Sequence, residues 1–309
     1  MNLKNSLLLI LAAFIWGFAF VAQSVSMDYI EPFTFNCIRC VMGGIVLIPC
    51  MAALNFKNKS KQQLTVQIAT ANSGKVMETS EQNNVFFTKD RKTLLTAGIL
   101  CGTALFIASN LQQIGIMYTT VGKAGFITAL YIVMVPILGL FIRKKVRGFV
   151  WIGVILSVIG LYLLCMGESV SFGRGDFLLL LCALFFSIQI LIVDYYAPKV
   201  DGLKLSCMEF FVCGILSGVC MFLFETPALS QIFMAKIPLL YAGVLSCGVG
   251  YTLQIIGQQK VNPTVASLLL SLESVFSVLA GFLILGQTLS GRELAGCVLM
   301  FVAIILAQL

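Results

Sequence analysis

Apolar residues in this chain gather in runs of about twenty, each closed by a short cluster of Gly, Pro, Asn or charge. A helix rising 1.5 Å per residue crosses a hydrocarbon layer of about 30 Å in about twenty residues, so each run has the length of a membrane span. The runs fall at 6–25, 34–54, 94–118, 123–142, 148–166, 177–196, 205–224, 237–258, 264–286 and 291–308, and they predict ten transmembrane helices. The weakest separator is Thr119-Thr120-Val121-Gly122; Lys260-Val261-Asn262-Pro263 is a firmer one. The first run, with Lys4 ahead of Leu7 to Val21, imitates a signal peptide, but no A-x-A-like site follows it. It is read as the first membrane helix.

Composition agrees with the pattern. Of 309 residues, 59% are hydrophobic and 11% charged, and the mean hydropathy is +1.00. A soluble domain carries about 25% charged residues and cannot hide this much apolar surface. A soluble enzyme, a nucleic-acid binder and a disordered protein are therefore excluded. The net charge of +7 reflects loops: with the N-terminus in the cytoplasm, fifteen Lys and Arg fall inside and four outside (Lys123, Arg174, Lys236, Arg292), with Arg39 within a span. That bias, carried by every loop, sets both termini in the cytoplasm.

The longest polar stretch, 55–92, is rich in Lys, Gln, Asn, Ser and Thr and reads as a disordered cytoplasmic loop. Around it, 1–54 and 93–167 form one group of five helices and 176–309 a second. Gly115 and Ala124 are spaced like Gly257 and Ala266, and Gly148 and Gly153 like Gly291 and Gly296. The halves thus align at a shift of 142–143 residues. Five helices is an odd number, so the second copy crosses in the opposite sense. The fold expected is all-α integral membrane, ten helices as two inverted five-helix repeats, with a midplane site between them.

Polar groups in lipid are expensive and either pair inside the bundle or face a cavity. Glu273 lies roughly 15 Å into its span and Arg39 roughly 10 Å into its own. Each is either a substrate or proton site, or an ion pair or cap that holds the bundle. Trp16 and Gln23 share a helix face, as do Asn36 and Arg39, Asn110 and Gln113, Thr128 and Tyr131, and Gln254 and Gln258. Gln189 sits mid-span. Hydrogen bonds between helices would produce such faces, at about 1 kcal/mol each, and so would a polar cavity. With six helices contributing, the cavity is the better account, and Trp16, Gln23, Asn36, Arg39, Asn110, Gln113, Tyr131, Gln189, Gln254, Gln258 and Glu273 are its candidate substrate-binding residues. Asp194 and Glu209 are expected to be interfacial charges beside Lys199 and Lys204, leaving no second midplane acid. Pro49 and Pro136 are expected to kink their helices. With no histidine, and with Cys37-x-x-Cys40 alone at metal-like spacing inside an apolar run, no metal or cofactor is expected.

Trp16-Gly17, Phe20-Val21-Ala22-Gln23, Pro32-Phe33-Thr34-Phe35-Asn36 and Arg39 resemble the opening of an EamA-family protein, of the drug/metabolite transporter superfamily. Gln112-Gln113-Ile114-Gly115, Tyr118-Thr119-Thr120 and Lys123 to Thr128 through Pro136 resemble the middle of the first repeat of that family. Ala266-Ser267-Leu268, Ser271 to Phe276, Leu285-Gly286, Gly296 and Ala307-Gln308-Leu309 resemble the end of the second. The likeness spans the chain apart from 55–92. It implies a ten-helix inverted-repeat carrier in a bacterial inner membrane, with a cavity lined by both halves, often exporting amino acids or related metabolites. Members commonly carry Glu after the Leu-Gly that ends the ninth span, and this chain has Gln287.

The function expected is a secondary transporter, an exporter of a small metabolite such as an amino acid. Its partners would be that substrate, the lipid bilayer and protons, with no nucleic acid, and the protein would be a monomer or homodimer. No G-x-x-x-x-G-K-[ST] stretch occurs, which excludes ATP drive within this chain. A membrane-embedded enzyme lacks a paired nucleophile and base. A channel or receptor-like signalling protein is the remaining alternative.

Overall fold

The computed structural model of the protein describes residues 3–73, 80–119, 121–144, 146, 148–165, 173–285 and 290–308. Lys75, Thr120, Lys145, Arg147, Gly286, Gln287 and Leu309 lie outside the described residues. Every regular element among those described is helical: α1 (Leu3–Ser26), α2 (Pro32–Ser73), α3 (Ser80–Ile116), α4 (Val121–Ala129), α5 (Tyr131–Phe141), α6 (Gly148–Cys165), α7 (Arg174–Tyr196), α8 (Gly202–Phe224), α9 (Leu229–Met234), α10 (Lys236–Leu240), a π-helical stretch (Tyr241–Tyr251), α11 (Thr252–Gln258), α12 (Pro263–Leu270), α13 (Glu273–Leu285) and α14 (Gly291–Gln308). Helix is one of the two forms, with the closed β-barrel, that can span lipid, because each backbone group then finds its partner within the segment.

Among the described residues, eight stretches are long and apolar enough to cross a membrane. Three are composite: Ala124–Phe141 runs through α4 and α5, Lys236–Gln258 through α10, the π stretch and α11, and Pro263–Ile284 through α12 and α13. Large apolar side chains such as Phe141, Ile215 and Phe222 stand exposed on the outside of the bundle. The protein is thus a multi-pass membrane protein. After the second span the helix continues to Ser73 and the next begins at Ser80, so helical extensions flank residues 74–79 where an irregular linker was expected. Lys, Gln and Ala favour helix and carry on a turn already started by the anchored span.

The main packing runs from one half of the chain to the other: α1 on α13, α2 on α8, α3 on α7 and α6 on α14. Helix starts are set locally. Glu225, just past α8, caps α2: its carboxylate accepts the backbone N–H groups of Phe33 and Thr34 and the Thr34 hydroxyl, each at 2.7 Å. Asp201 caps α8 and Asn262 caps α12, with Pro263 at its first position.

Two spans are broken part-way along, at Leu130 and at Ser271-Leu272, so that Tyr131 and Glu273 each open a new helix. At the second break Ser267 and Ser271 donate back to the carbonyls of Thr264 and Leu268 at 2.8 Å, a bond that competes with the helix ladder and bends it. Pro49 and Pro136 lie inside unbroken helices, and the break in the fourth span falls N-terminal to Pro136.

The α1–α13 crossing depends on Gly17. A methyl group there would stand 2.4 Å from Phe276 Cβ and 2.8 Å from the Glu273 carbonyl oxygen, with no flexible end to move aside. Gly17→Ala should therefore destabilise the fold by about 1–3 kcal/mol through overpacking. Thermal unfolding of the purified variant in detergent checks this; an unchanged midpoint would show that the two helices do not meet as described.

Candidate functional site

A cavity lies where α1, α2, α3, α5, α7, the π stretch, α11, α12 and α13 meet. Its free interior measures about 30 Å³, room for a water molecule or two. Of the predicted residues, the structure brings seven to it: Trp16, Gln23, Arg39, Tyr131, Gln189, Gln254 and Glu273.

The other four are occupied between helices. Asn36 donates to the Asn110 side chain at 2.9 Å and to the Ser109 carbonyl at 3.1 Å, and Asn110 donates to Ser217 at 3.0 Å, joining α2, α3 and α8. Gln113 donates to the Gln23 carbonyl and Gln258 to the Ile190 carbonyl. A helix face tells which residues look the same way. It does not tell whether they look at a cavity or at a neighbour.

Arg39 is the charge on the N-terminal side of the cavity. Its guanidinium is 2% exposed and lies over the Phe35 ring, 5.1 Å from the centroid. The ionisable groups nearest it are Cys40, Cys247, Tyr251 and Cys213, and no carboxylate is among them. Its Nε has no partner, and no ion pair joins it to Glu273 or Glu209 among the described residues. Burying a guanidinium at this depth costs on the order of 3 kcal/mol, and an unpaired one calls for an anion.

Glu273 opens α13 and so stands at the positive end of a helix. The Tyr131 hydroxyl, at the start of α5, donates to its Oε1 at 3.0 Å. Sequence reasoning placed Glu273 deep in its span and Tyr131 on one helix face with Thr128, but only the two helix breaks turn them toward each other. Elsewhere in the wall, Gln254 Nε2 donates to Gln189 Oε1 at 3.1 Å, and Gln189 Nε2 donates to Glu209 Oε1 at 2.8 Å. Gln23 Oε1 and Gln254 Oε1 remain without a protein partner, two acceptors open to a ligand.

Glu209 corrects the sequence reading. Expected as an interfacial charge, it is wholly buried and linked to the cavity wall through Gln189, so the bundle does hold a second acid. Seven residues of α8 separate it from the helix start, far enough to leave the interface. Asp194 does lie near a helix end, but its partner is Lys144, at 2.6 Å, rather than Lys199 or Lys204. The sequence reading also passed over Gln112, Phe186, Ser246 and Tyr251 in the wall. Gln112 stands beside Gln113, which was chosen, and the two point about 100° apart on the helix. Trp16 packs on Tyr251 with centroids 4.6 Å apart and donates from Nε1 to the Ser246 carbonyl at 3.3 Å. The wider π turn exposes that carbonyl, a local distortion with no sequence signature. Among the described residues no group of three His, Cys, Asp or Glu is placed to hold a metal.

Comparison with known proteins gives the following. The profile of the EamA-like transporter family matches residues 3–166 and 173–309. A protein of Archaeoglobus fulgidus named as an uncharacterized transporter is 28% identical over 302 residues, 97% of this chain and 84% of that protein. One of Clostridium kluyveri, named likewise, is 24% identical over 295 residues, 93% of this chain and 85% of its own. A protein solved by crystallography, 17% identical, superposes with a TM-score of 0.74 over 99% of this chain and 97% of that one, which shows a shared fold.

The Trp16 seat depends on Gly250, where a methyl group would come within 2.6 Å of the indole Nε1. Gly250→Ala should displace the indole and break its bond to Ser246. In a Trp151→Phe background, which leaves Trp16 as the only tryptophan, its fluorescence should shift; an unchanged emission spectrum would contradict the described contact.

Proposed function

The chain belongs to the EamA-like transporter family, and from that premise we propose that it is a secondary transporter exporting a small metabolite of the amino-acid class. Transport proceeds by alternating access around the central cavity. The observation that carries this reading is the cavity itself, lined by helices of both halves and holding an arginine that no carboxylate among the described residues pairs with. A cavity of about 30 Å³ is far below the roughly 300 Å³ of a ligand site. A substrate therefore enters only if the halves move apart, which is what a carrier does and a standing pore does not.

Spacings in the structure support the inverted repeat. α4 and α12 begin at Val121 and Pro263, α5 and α13 at Tyr131 and Glu273, each pair 142 residues apart; α6 and α14 begin at Gly148 and Gly291, 143 apart. α2 and α8 begin at Pro32 and Gly202, a shift of 170, the difference being the polar stretch that follows the second span. Matched positions line the cavity together: Tyr131 and Glu273, Gln112 and Gln254, Trp16 and Phe186. On this reading α6 and α14 complete a set of ten spans, residues 1–54 and 93–167 form one repeat and 176–309 the other, and both termini lie in the cytoplasm of a bacterial inner membrane.

A zwitterion fits the charges. Arg39 takes the carboxylate, Glu273 the ammonium group, and the Trp16–Tyr251 pair lies against the side chain. Protons are the coupling ion, with Glu273 as the acid that exchanges a proton for substrate. Arg39 and Lys are not equivalent here, because only the planar guanidinium can both lie over Phe35 and grip a carboxylate with two parallel bonds.

Counterflow in proteoliposomes tests the proposal, with labelled amino acids, purines and sugars offered with and without a pH gradient. Saturable exchange of amino acids is expected, lowered at least tenfold by Arg39→Lys. Glu273→Gln should abolish the effect of the gradient. Exchange of none of these compounds by folded protein would overturn the substrate class, and unchanged pH dependence in Glu273→Gln would remove that residue from coupling.

A further inference from the structure

Glu209 takes no part in the site as derived so far, yet its surroundings are those of a group with a task. It is wholly buried, its Oε1 accepts a single bond from Gln189, and its Oε2 has no partner. No cation lies within ion-pair distance among the described residues. The titratable groups that face it are Cys101 of α3 and Cys247 and Tyr251 of the π stretch, a set that contributes no positive charge. On its own helix the neighbours within a turn are apolar or small: Leu205, Ser206, Phe210 and Cys213.

The charges of the bundle interior give a second, independent reason. The buried charged side chains among the described residues are Arg39, Asp176, Glu209 and Glu273. Asp176 sits in the first turn of α7 and accepts the Gly173 N–H at 2.7 Å, a capping carboxylate near the helix end. That leaves one guanidinium against two carboxyl groups around the cavity. With both acids ionised the interior carries one uncompensated negative charge, a state that low dielectric makes far dearer than a neutral carboxyl with one unmet hydroxyl. One proton must be held. Glu273 has the better provision for an anion, with the Tyr131 hydroxyl donating to it and a helix N-terminus beneath it. Glu209 has one amide donor and no helix end.

We propose that Glu209 is a proton-binding site, holding a proton on Oε2 while the cavity is closed and linked to the substrate site through Gln189 and Gln254. The step is an acid–base one: when Gln189 turns aside, an O–H bond forms on Glu209 and breaks on a hydronium ion, which leaves as water, with no change of oxidation state. Glu209 stands 170 residues after Arg39, the shift that relates α8 to α2, so the second half carries an acid where the first carries its base. This rests on the transport reading and deepens it by adding a second proton site, linked to the substrate site, beside the coupling acid Glu273.

Infrared difference spectroscopy of the reconstituted full chain tests the site with the proton alone as probe, so it does not depend on knowing a substrate. At neutral pH the wild type should show the C=O stretch of a protonated carboxyl, shifted on exchange into heavy water. Glu209→Gln should remove that band, and Tyr131→Phe, which alters the partner of Glu273 and leaves the charge count intact, should leave it unmoved. Gln189→Met, which deletes the only donor to Oε1, should move its frequency and keeps the test open if Glu209→Gln does not fold. A band that survives Glu209→Gln in folded protein, or one that Gln189→Met leaves unmoved, would overturn the assignment. Loss of counterflow with the band intact would instead count against the transport reading.

Discussion

Hydrocarbon offers no hydrogen bonds, and that constraint organises this molecule from backbone to site. It forces the spans to be helical, and it obliges each buried amide, hydroxyl and charge to find a partner inside the bundle or a place in a cavity. Most find partners. Asn36, Asn110 and Ser217 tie three helices together, Asn5 donates to the carbonyls of Ile256 and Gly257, and Gln258 donates to Ile190. Some atoms do not: Asn36, Gln113, Ser157 and Gln258 each leave one between helices, whereas Arg39, the free oxygens of Gln23 and Gln254, and Glu209 surround or adjoin the small cavity.

That division explains why the halves hold each other. α1, α2, α3 and α6 each find their main contact in the other half of the chain, and glycine at Gly17 and Gly250 lets backbones come close enough for the site to form. The broken helices contribute the rest. Because the spans Ala124–Phe141 and Pro263–Ile284 each stop and restart part-way along, Tyr131 and Glu273 stand at helix starts and meet at 3.0 Å. A continuous helix would have carried them along its flank, with no helix end beneath the carboxylate.

Much of this was legible in the sequence, for physical reasons. Span length and loop charge are set by the bilayer, so the helices could be located before any contact was known, and the cost of buried polarity singled out Arg39, Glu273, Gln189 and Gln254. Three things were not legible. Helical spacing cannot separate Asn36, Asn110 and Gln113, which bind helices together, from Gln23, which faces the cavity. Nearness to a predicted span end hid Glu209, whose depth follows from α8 starting at Gly202 rather than a few residues later. The π turn that presents the Ser246 carbonyl to Trp16 arises from packing against α1 and α2, and no local residue preference encodes it.

The proposed transport requires a cavity that opens to one side at a time. Its most direct measurement places a cysteine at Gln112, in the cavity wall, in protein whose eleven native cysteines have been replaced. Small membrane-impermeant thiol reagents are then applied to oriented vesicles from one face or the other. Alternating access predicts modification from either face, with labelling from one side falling as conditions raise it from the other. Labelling that rises together from both faces would describe a pore, and a thiol silent from both would describe a sealed core; either result would contradict the account.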